Sequence, residues 1–267
     1  MAFINFKLKH PDDISPFGEE PNTTLHWFGL TDSEYWLSLG ELSLYEYSTN
    51  FLLRSGVEGT NHADYYLSRL VEDLMELFPA IGEPAPEPLY EIAKNGSSLS
   101  EFQEKAASWM EEQGDDETMG SNASVANFEA ATKWISDRTL YSGHLFGGPG
   151  IGFFRQGNKI SIVWKSDAVY EEKAPIWTAQ NGQMEMAFEN FFSEMEDFGD
   201  RFFSAMEQQV DLAVAKDWAP ITLDKAGLLR EKEERKNDYY TQLQLLKRSE
   251  LKTAWGPVLK AVDEIQK

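Results

Sequence analysis

The stretch from Phe188 to Val210 sets the strongest constraint on the fold. Phe188, Phe191, Phe192, Met195, Phe198, Phe202, Phe203, Met206 and Val210 recur at spacings of three and four, which places them on one face of an α-helix. Glu189, Glu194, Glu196, Asp197 and Asp200 fall mostly off that face. So wide an aromatic stripe must be covered, and the spacing predicts a long helix from about Phe188 to Lys216 packed on a β-sheet.

The sheet material lies in three regions. Ala2 to Leu8 alternates, with Ile4, Phe6 and Leu8 on one side, and reads as an opening strand. From Thr24 to Tyr47 the chain is dense in β-formers, divided by Thr31, Asp32, Ser33 and Gly40 into two or three strands. Between Thr139 and Trp164, the turn Gln156-Gly157-Asn158 separates the apolar runs Ile151 to Phe154 and Ile160 to Trp164, a hairpin signal. Short strands at Pro175 to Thr178 and Gln183 to Ala187, around Asn181-Gly182, extend it.

Helices fill the spaces between. Residues His62 to Phe78 carry a stripe through Tyr66, Leu67, Leu70, Val71, Leu74, Leu77 and Phe78, with Pro79 and Gly82 as stop signals. Three prolines in Glu83 to Pro88 predict an extended connector. Ser98 and Glu101 have capping-box spacing and start a helix running to Glu112; a polar loop at 114–121 and a helix at about Val125 to Ser136 follow. The expectation is an α+β fold, mainly an antiparallel β-sheet of six to eight strands covered on one face by helices. Residues 1–220 form its main domain, and residues 221–267 a helical C-terminal appendage packed on it.

Charge divides along the same boundary. The chain has 45 acidic and 24 basic residues, a net charge of −21. Residues 224–267 hold ten basic and eight acidic side chains, while residues 1–223 hold fourteen and thirty-seven and so carry −23. Such a body repels phosphate backbones and anionic lipid head groups, which argues against nucleic-acid and membrane partners, and it draws in a basic protein. The same acidity also serves solubility alone. Absence of cysteine removes disulfides, thiolate metal sites and cysteine nucleophiles. With no apolar run of signal-peptide or membrane-span length, the expectation is a cytoplasmic protein.

No motif names a reaction. The cluster Gly147-Gly148-Pro149-Gly150-Ile151-Gly152 has the composition of a phosphate loop, but it leads into a strand and no Gly-Lys-Ser or Gly-Lys-Thr is present, so it reads as a turn between strands. The four histidines, His10, His26, His62 and His144, stand singly with no ligand-pair spacing, and no metal or cofactor is implied. Neither a Gly-x-Ser-x-Gly elbow nor a Ser-x-x-Lys motif occurs, so no catalytic residue is assigned. The richest feature is aromatic: Trp27, Trp36, Trp164 and Trp177, with Phe28, Tyr35, Tyr45, Tyr47, Phe153 and Phe154, form either core or a ligand platform. The candidate ligand-binding residues are His26, Trp27, His144, Arg155 and Trp177. Arg138 and Arg155 are each a structural ion pair or an anion hook.

These residues also carry a resemblance. The run Leu25-His26-Trp27-Phe28-Gly29-Leu30-Thr31-Asp32 with Tyr35-Trp36, and then Tyr45 to Ser48, resembles a bacterial domain of unknown function, the one numbered 5984. The helix at Leu70 to Pro79, the run Leu140-Tyr141-Ser142-Gly143-His144-Leu145 leading to Gly148-Pro149, the hairpin Phe154 to Asn158 and the strand Pro175 to Thr178 look like that family in the same order, up to about Trp218. The resemblance implies no activity and no catalytic residues. Two functions follow as expectations: a non-enzymatic, immunity-type protein that masks a basic partner, and a small-ligand binder or enzyme with a pocket between sheet and helices, near His26, His144 and Arg155.

Overall fold

The computed structural model describes residues 2–19, 22–57, 59–113 and 119–267, the last stretch with side chains from residue 123 onward. The chain enters β1 (Ile4–Leu8), makes one helical turn, α1 (Trp27–Leu30), and continues through β2 (Asp32–Leu39) and β3 (Leu42–Leu44). Next come α2 (Thr49–Ser55), β4 (Ala63–Tyr66), α3 (Leu67–Gly82), α4 (Glu87–Ala93), α5 (Gly96–Glu112) and α6 (Met119–Ser136). Strands β5 (Thr139–Tyr141), β6 (Gly150–Gln156), β7 (Lys159–Lys165), β8 (Val169–Tyr170), β9 (Ala174–Pro175) and β10 (Gly182–Ala187) follow. Helices α7 (Phe188–Ala215), α8 (Lys225–Arg248) and α9 (Trp255–Ile265) close the chain.

The α+β class, the antiparallel pairing and the helical C-terminus are as expected, but the strands divide into two sheets where the sequence suggested one. Strand β2 pairs with β1, β3 and β4, and a second four-stranded sheet runs β10-β7-β6-β5. Strands β8 and β9 form a separate ribbon. Along β2 the side chains of Ser33, Tyr35, Leu37 and Leu39 are buried and the alternate ones are not, so the first sheet is covered on one face.

The second sheet is covered on both faces. Ile151 and Phe153 of β6, with Ile160, Ile162 and Trp164 of β7, join the larger apolar cluster, built on α3, α7, α8 and the first sheet. Phe154 and Val163 join a smaller one made by α4, α5, α6 and α9. The cross-strand registers Ile151↔Trp164 and Gly152↔Val163 fix which residues share a face. In effect this sheet is a partition between two cores.

Helix α7 forms as the aromatic stripe requires. Phe191, Met195, Phe198 and Met206 are fully buried, and Phe6 of β1 meets Phe198 and Phe202 edge-on at 6.0 and 6.2 Å. Helix α8 packs against α3 and α7 and adds Leu228, Tyr239, Leu243 and Leu246 to the larger cluster. Tyr239 fits because position 199 is glycine: a Cβ there would stand 2.3 Å from Cε1 of the tyrosine ring. The Tyr239 hydroxyl donates to the Met195 carbonyl at 2.6 Å.

Local chemistry explains where elements depart from the sequence reading. Leu25 to Leu30, expected as strand, contains the single turn α1, because His26 caps it: its Nδ1 accepts the Gly29 amide at 3.4 Å. The strand expected to reach Tyr47 stops at Leu44, where Tyr45 turns to a left-handed φ of 67°. Ser48 starts the unanticipated α2 by accepting the Phe51 amide at 3.1 Å. The His62 stripe begins as strand β4, and α3 runs through Pro79 to Gly82, since a proline in the last turn removes one ladder bond near the helix end. Pro88 belongs to the first turn of α4, where a missing amide is no loss, so the connector ends sooner than its prolines suggest. Asn95, rather than Ser98, caps α5. Of the loop expected at 114–121, residues 114–118 lie outside the described residues, and α6 begins at Met119.

One buried ion pair joins distant segments. Glu83, just after α3, accepts from Arg138 Nη2 at 3.0 Å, and the side chains are 6% and 1% exposed. Arg138 Nη1 donates to the Trp134 carbonyl at 3.0 Å, and the guanidinium lies 5.2 Å from the Trp255 ring. Thr253, between α8 and α9, gives Glu83 two more bonds, from its amide and its hydroxyl, both at 2.6 Å. Arg138 is therefore the structural ion pair of the two roles considered for it. Replacing Glu83 with alanine leaves a buried guanidinium without its counter-charge, and we expect a loss of about 3–5 kcal/mol in chemical denaturation. The double variant Glu83→Leu/Arg138→Met recovers most of it.

Candidate functional site

A concavity opens on the smaller-core face of the second sheet. Gly150 and Gly152 of β6 lie in register with Tyr141 and Thr139 of β5 on one side and Lys165 and Val163 of β7 on the other. These residues share one face, and the two glycines leave a strip with no side chains between taller neighbours. The first two turns of α5, through Gly96, Ser97, Leu99, Ser100 and Gln103, form one wall. Segments 165–168 and 181–183, with Gly147 and Gly148, close the end. The resulting groove has a volume of about 650 Å³, within the range of small-molecule sites.

The two floor glycines differ. A Cβ at Gly150 would stand 3.9 Å from its nearest neighbours, Thr139 Cγ2 and Tyr141 Cδ1, so the ring of Tyr141 borders open floor. At Gly152 a Cβ would meet the Phe154 ring at 2.5 Å. Glycine is thus required at 152 for packing, whereas at 150 it serves only to keep the groove deep.

Polar groups around the groove are mostly uncharged. The α5 amides are already engaged: Asn95 Oδ1 accepts from Ser97 and Ser98 at 2.9 and 3.3 Å, and Gln183 Oε1 accepts from Gly96 at 2.8 Å. Asn181 Oδ1 accepts the Ser166 amide at 2.6 Å, and its Nδ2 donates to Asp167 at 3.2 Å. Lys165 and Asp167 are the two charged side chains of the lining, 3.9 Å apart. Ser166 is 2% exposed, and its Oγ has no hydrogen-bond partner among the described residues. A buried hydroxyl left that way costs about 1–3 kcal/mol.

A family profile matches residues 3–261. The chain belongs to DUF5984, a family of unknown function. The DUF5984 match continues beyond Trp218, where the resemblance read from the sequence stops, to take in α8 and most of α9. No curated protein and no solved structure matches the chain. Among the described residues, no group of three or more His, Asp or Glu side chains is placed to hold a metal ion. Nor is any helix of the described residues long and apolar enough to cross a membrane.

The five residues singled out from the DUF5984 sequence do not line this groove. His26 is exposed and stacks on Phe17 at 4.6 Å. Trp27 is buried against Phe202 and Arg235, beside a smaller cavity of about 200 Å³. Arg155 donates to the Gly82 and Gly157 carbonyls at 2.6 and 2.9 Å and lies 3.6 Å from the Phe188 ring. His144 and Trp177 do come together, through one buried aromatic network. His144 Nε2 and the Tyr35 hydroxyl are hydrogen-bonded at 3.0 Å, Tyr35 meets Tyr45 at 5.3 Å, and Trp177 stacks on Tyr47 at 4.6 Å. Trp177 Nε1 also donates to the Gly147 carbonyl at 2.7 Å. Burial, then the nearby Arg69 charge, holds His144 below the ordinary histidine range, and burial pushes the Tyr45 phenol well above its own. Among the described residues, His26, His144 and Arg155 have no hydrogen-bond or ring partner in common.

Sequence reasoning took the groove's glycines as turn formers. The signal for them was their spacing of two in a strand whose intervening residues, Ile151 and Phe153, are apolar: that pattern leaves one face bare. Gly152→Ala is expected to lower stability by about 1–3 kcal/mol through overpacking. Gly150→Ala is expected to change it by less than about 1 kcal/mol. Thermal and denaturant unfolding of the two variants checks the contrast.

Proposed function

We propose that this protein binds a small molecule in the groove between α5 and the second sheet. The observation that carries the reading is the floor left open at Gly150, in a concavity of about 650 Å³ bordered by an exposed tyrosine and by the first two turns of α5. Such a site joins an apolar floor to a few convergent polar groups, which is how ligand pockets set orientation. The pocket between sheet and helices expected from the sequence thus has support in the fold, with different residues around it. A Cβ at 150 meets nothing closer than 3.9 Å, so Gly150→Phe directs a ring into the groove. In a thermal-shift screen of a metabolite library, compounds that raise the melting temperature of the wild-type chain should leave Gly150→Phe unmoved. A library without hits, or hits that stabilise both proteins equally, overturns the reading.

A second reading rests on the surface. Among the described residues Glu83 is the one buried acid, so the other described carboxylates of a chain of net charge −21 reach solvent at least in part. We infer from this a protein that masks a basic protein partner, in the manner of an immunity protein; a cytoplasmic location and the lack of an enzymatic role are part of the same proposal. Pull-down from native lysate at low salt should recover a basic protein that is lost at high salt. Recovery of no salt-sensitive basic partner counts against it.

A further inference from the structure

The groove's own chemistry narrows the class of ligand. An anion held at the start of a helix needs free backbone amides, yet Asn95 and Gln183 already accept the α5 amides of Gly96, Ser97 and Ser98. A cation needs surplus carboxylate, but Asp167 stands 3.9 Å from Lys165 and bonds to Asn181, so the charge around the groove sums to zero. This neutrality is local, in a chain of net charge −21.

What remains to meet a ligand is a set of hydroxyls. The Thr139 hydroxyl already donates to the Ile135 carbonyl at 2.8 Å, and the Ser166 Oγ is buried. Ser97, Ser100 and Tyr141 line the groove, and a hydroxyl both donates and accepts. Groups of that kind are matched best by a ligand whose polar groups do the same. Tyr141 is 56% exposed, with its ring beside the Gly150 floor, and offers an apolar face to the C–H groups of such a ligand.

We propose that the groove takes a neutral, hydroxyl-rich ligand of sugar size, met by the Ser97 and Ser100 side chains of α5 and with the Tyr141 ring packed on its C–H face. The proposal rests on the ligand-binding reading above.

Calorimetric titration of the full chain with a panel of unmodified mono- and disaccharides, and with their phosphate and uronate counterparts, tests it. At least one neutral sugar should bind with an affinity insensitive to salt, and more tightly than its anionic counterparts. Ser100→Ala and Tyr141→Ala should each weaken binding about tenfold without lowering the melting temperature, and Gly150→Phe should abolish it. If only the phosphate or uronate forms bind, the ligand class is wrong while the groove remains a site. If no compound of either kind binds, the class is overturned, and if Gly150→Phe binds as well as wild type, the underlying reading is overturned with it.

Discussion

The Glu83–Arg138 pair is the constraint on which the arrangement of the smaller core depends. Neither group can lie buried alone, because a charge without a partner in a water-poor interior is far costlier than the pair. Each brings a different part of the chain: Glu83 the end of α3, Arg138 the junction of α6 and β5. Thr253 adds the α8–α9 link, and Trp255 supplies a ring beside the guanidinium. A hydrophobic contact among these segments would tolerate sliding. Hydrogen bonds to one carboxylate do not, since they fail within a few tenths of an ångström of misplacement.

That constraint reaches the groove through β5. Arg138 immediately precedes Thr139, and Thr139 and Tyr141 stand on the groove side of the second sheet. Phe154, at the edge of the same floor, packs with Trp134, whose carbonyl is bonded to Arg138. The site is thus placed on strands and a helix start rather than on free loops, which keeps its geometry fixed. Its depth comes from what the chain omits, the side chain at Gly150, rather than from a gap between domains.

What was legible in the sequence was periodicity. The aromatic stripe of α7, the hairpin of β6 and β7 and the stripe of α3 were each readable from the spacing of apolar residues, because burial on one face writes itself into sequence order. Features set by single side chains were less so. The histidine cap on α1, the Ser48 cap on α2 and the place of Pro88 at a helix start each reverse a propensity with one bond or one missing amide. Long-range pairings were not legible at all: nothing near Glu83 names Arg138 or Thr253. The candidate site shows the same division. His144, Trp177, Arg155 and Trp27 were marked for their chemistry, but in the fold the first three hydrogen-bond within the protein and the Trp27 ring packs on Phe202 and Arg235. The residues around the groove are small and uncharged, and their meaning depends on which strand face they occupy.

The position of Thr253 bears on how the C-terminal chain is held. A strap fixed only at its two ends must close one long loop, whereas this one is fastened midway, where Thr253 meets Glu83. Helix α8 is thereby registered on α3 and α7, and α9 on α6, as two short arcs with separate closure entropies. Fraying at the carboxyl terminus can then proceed inward through α9 and stop at the fastening, leaving the contact between Tyr239 and Gly199 undisturbed.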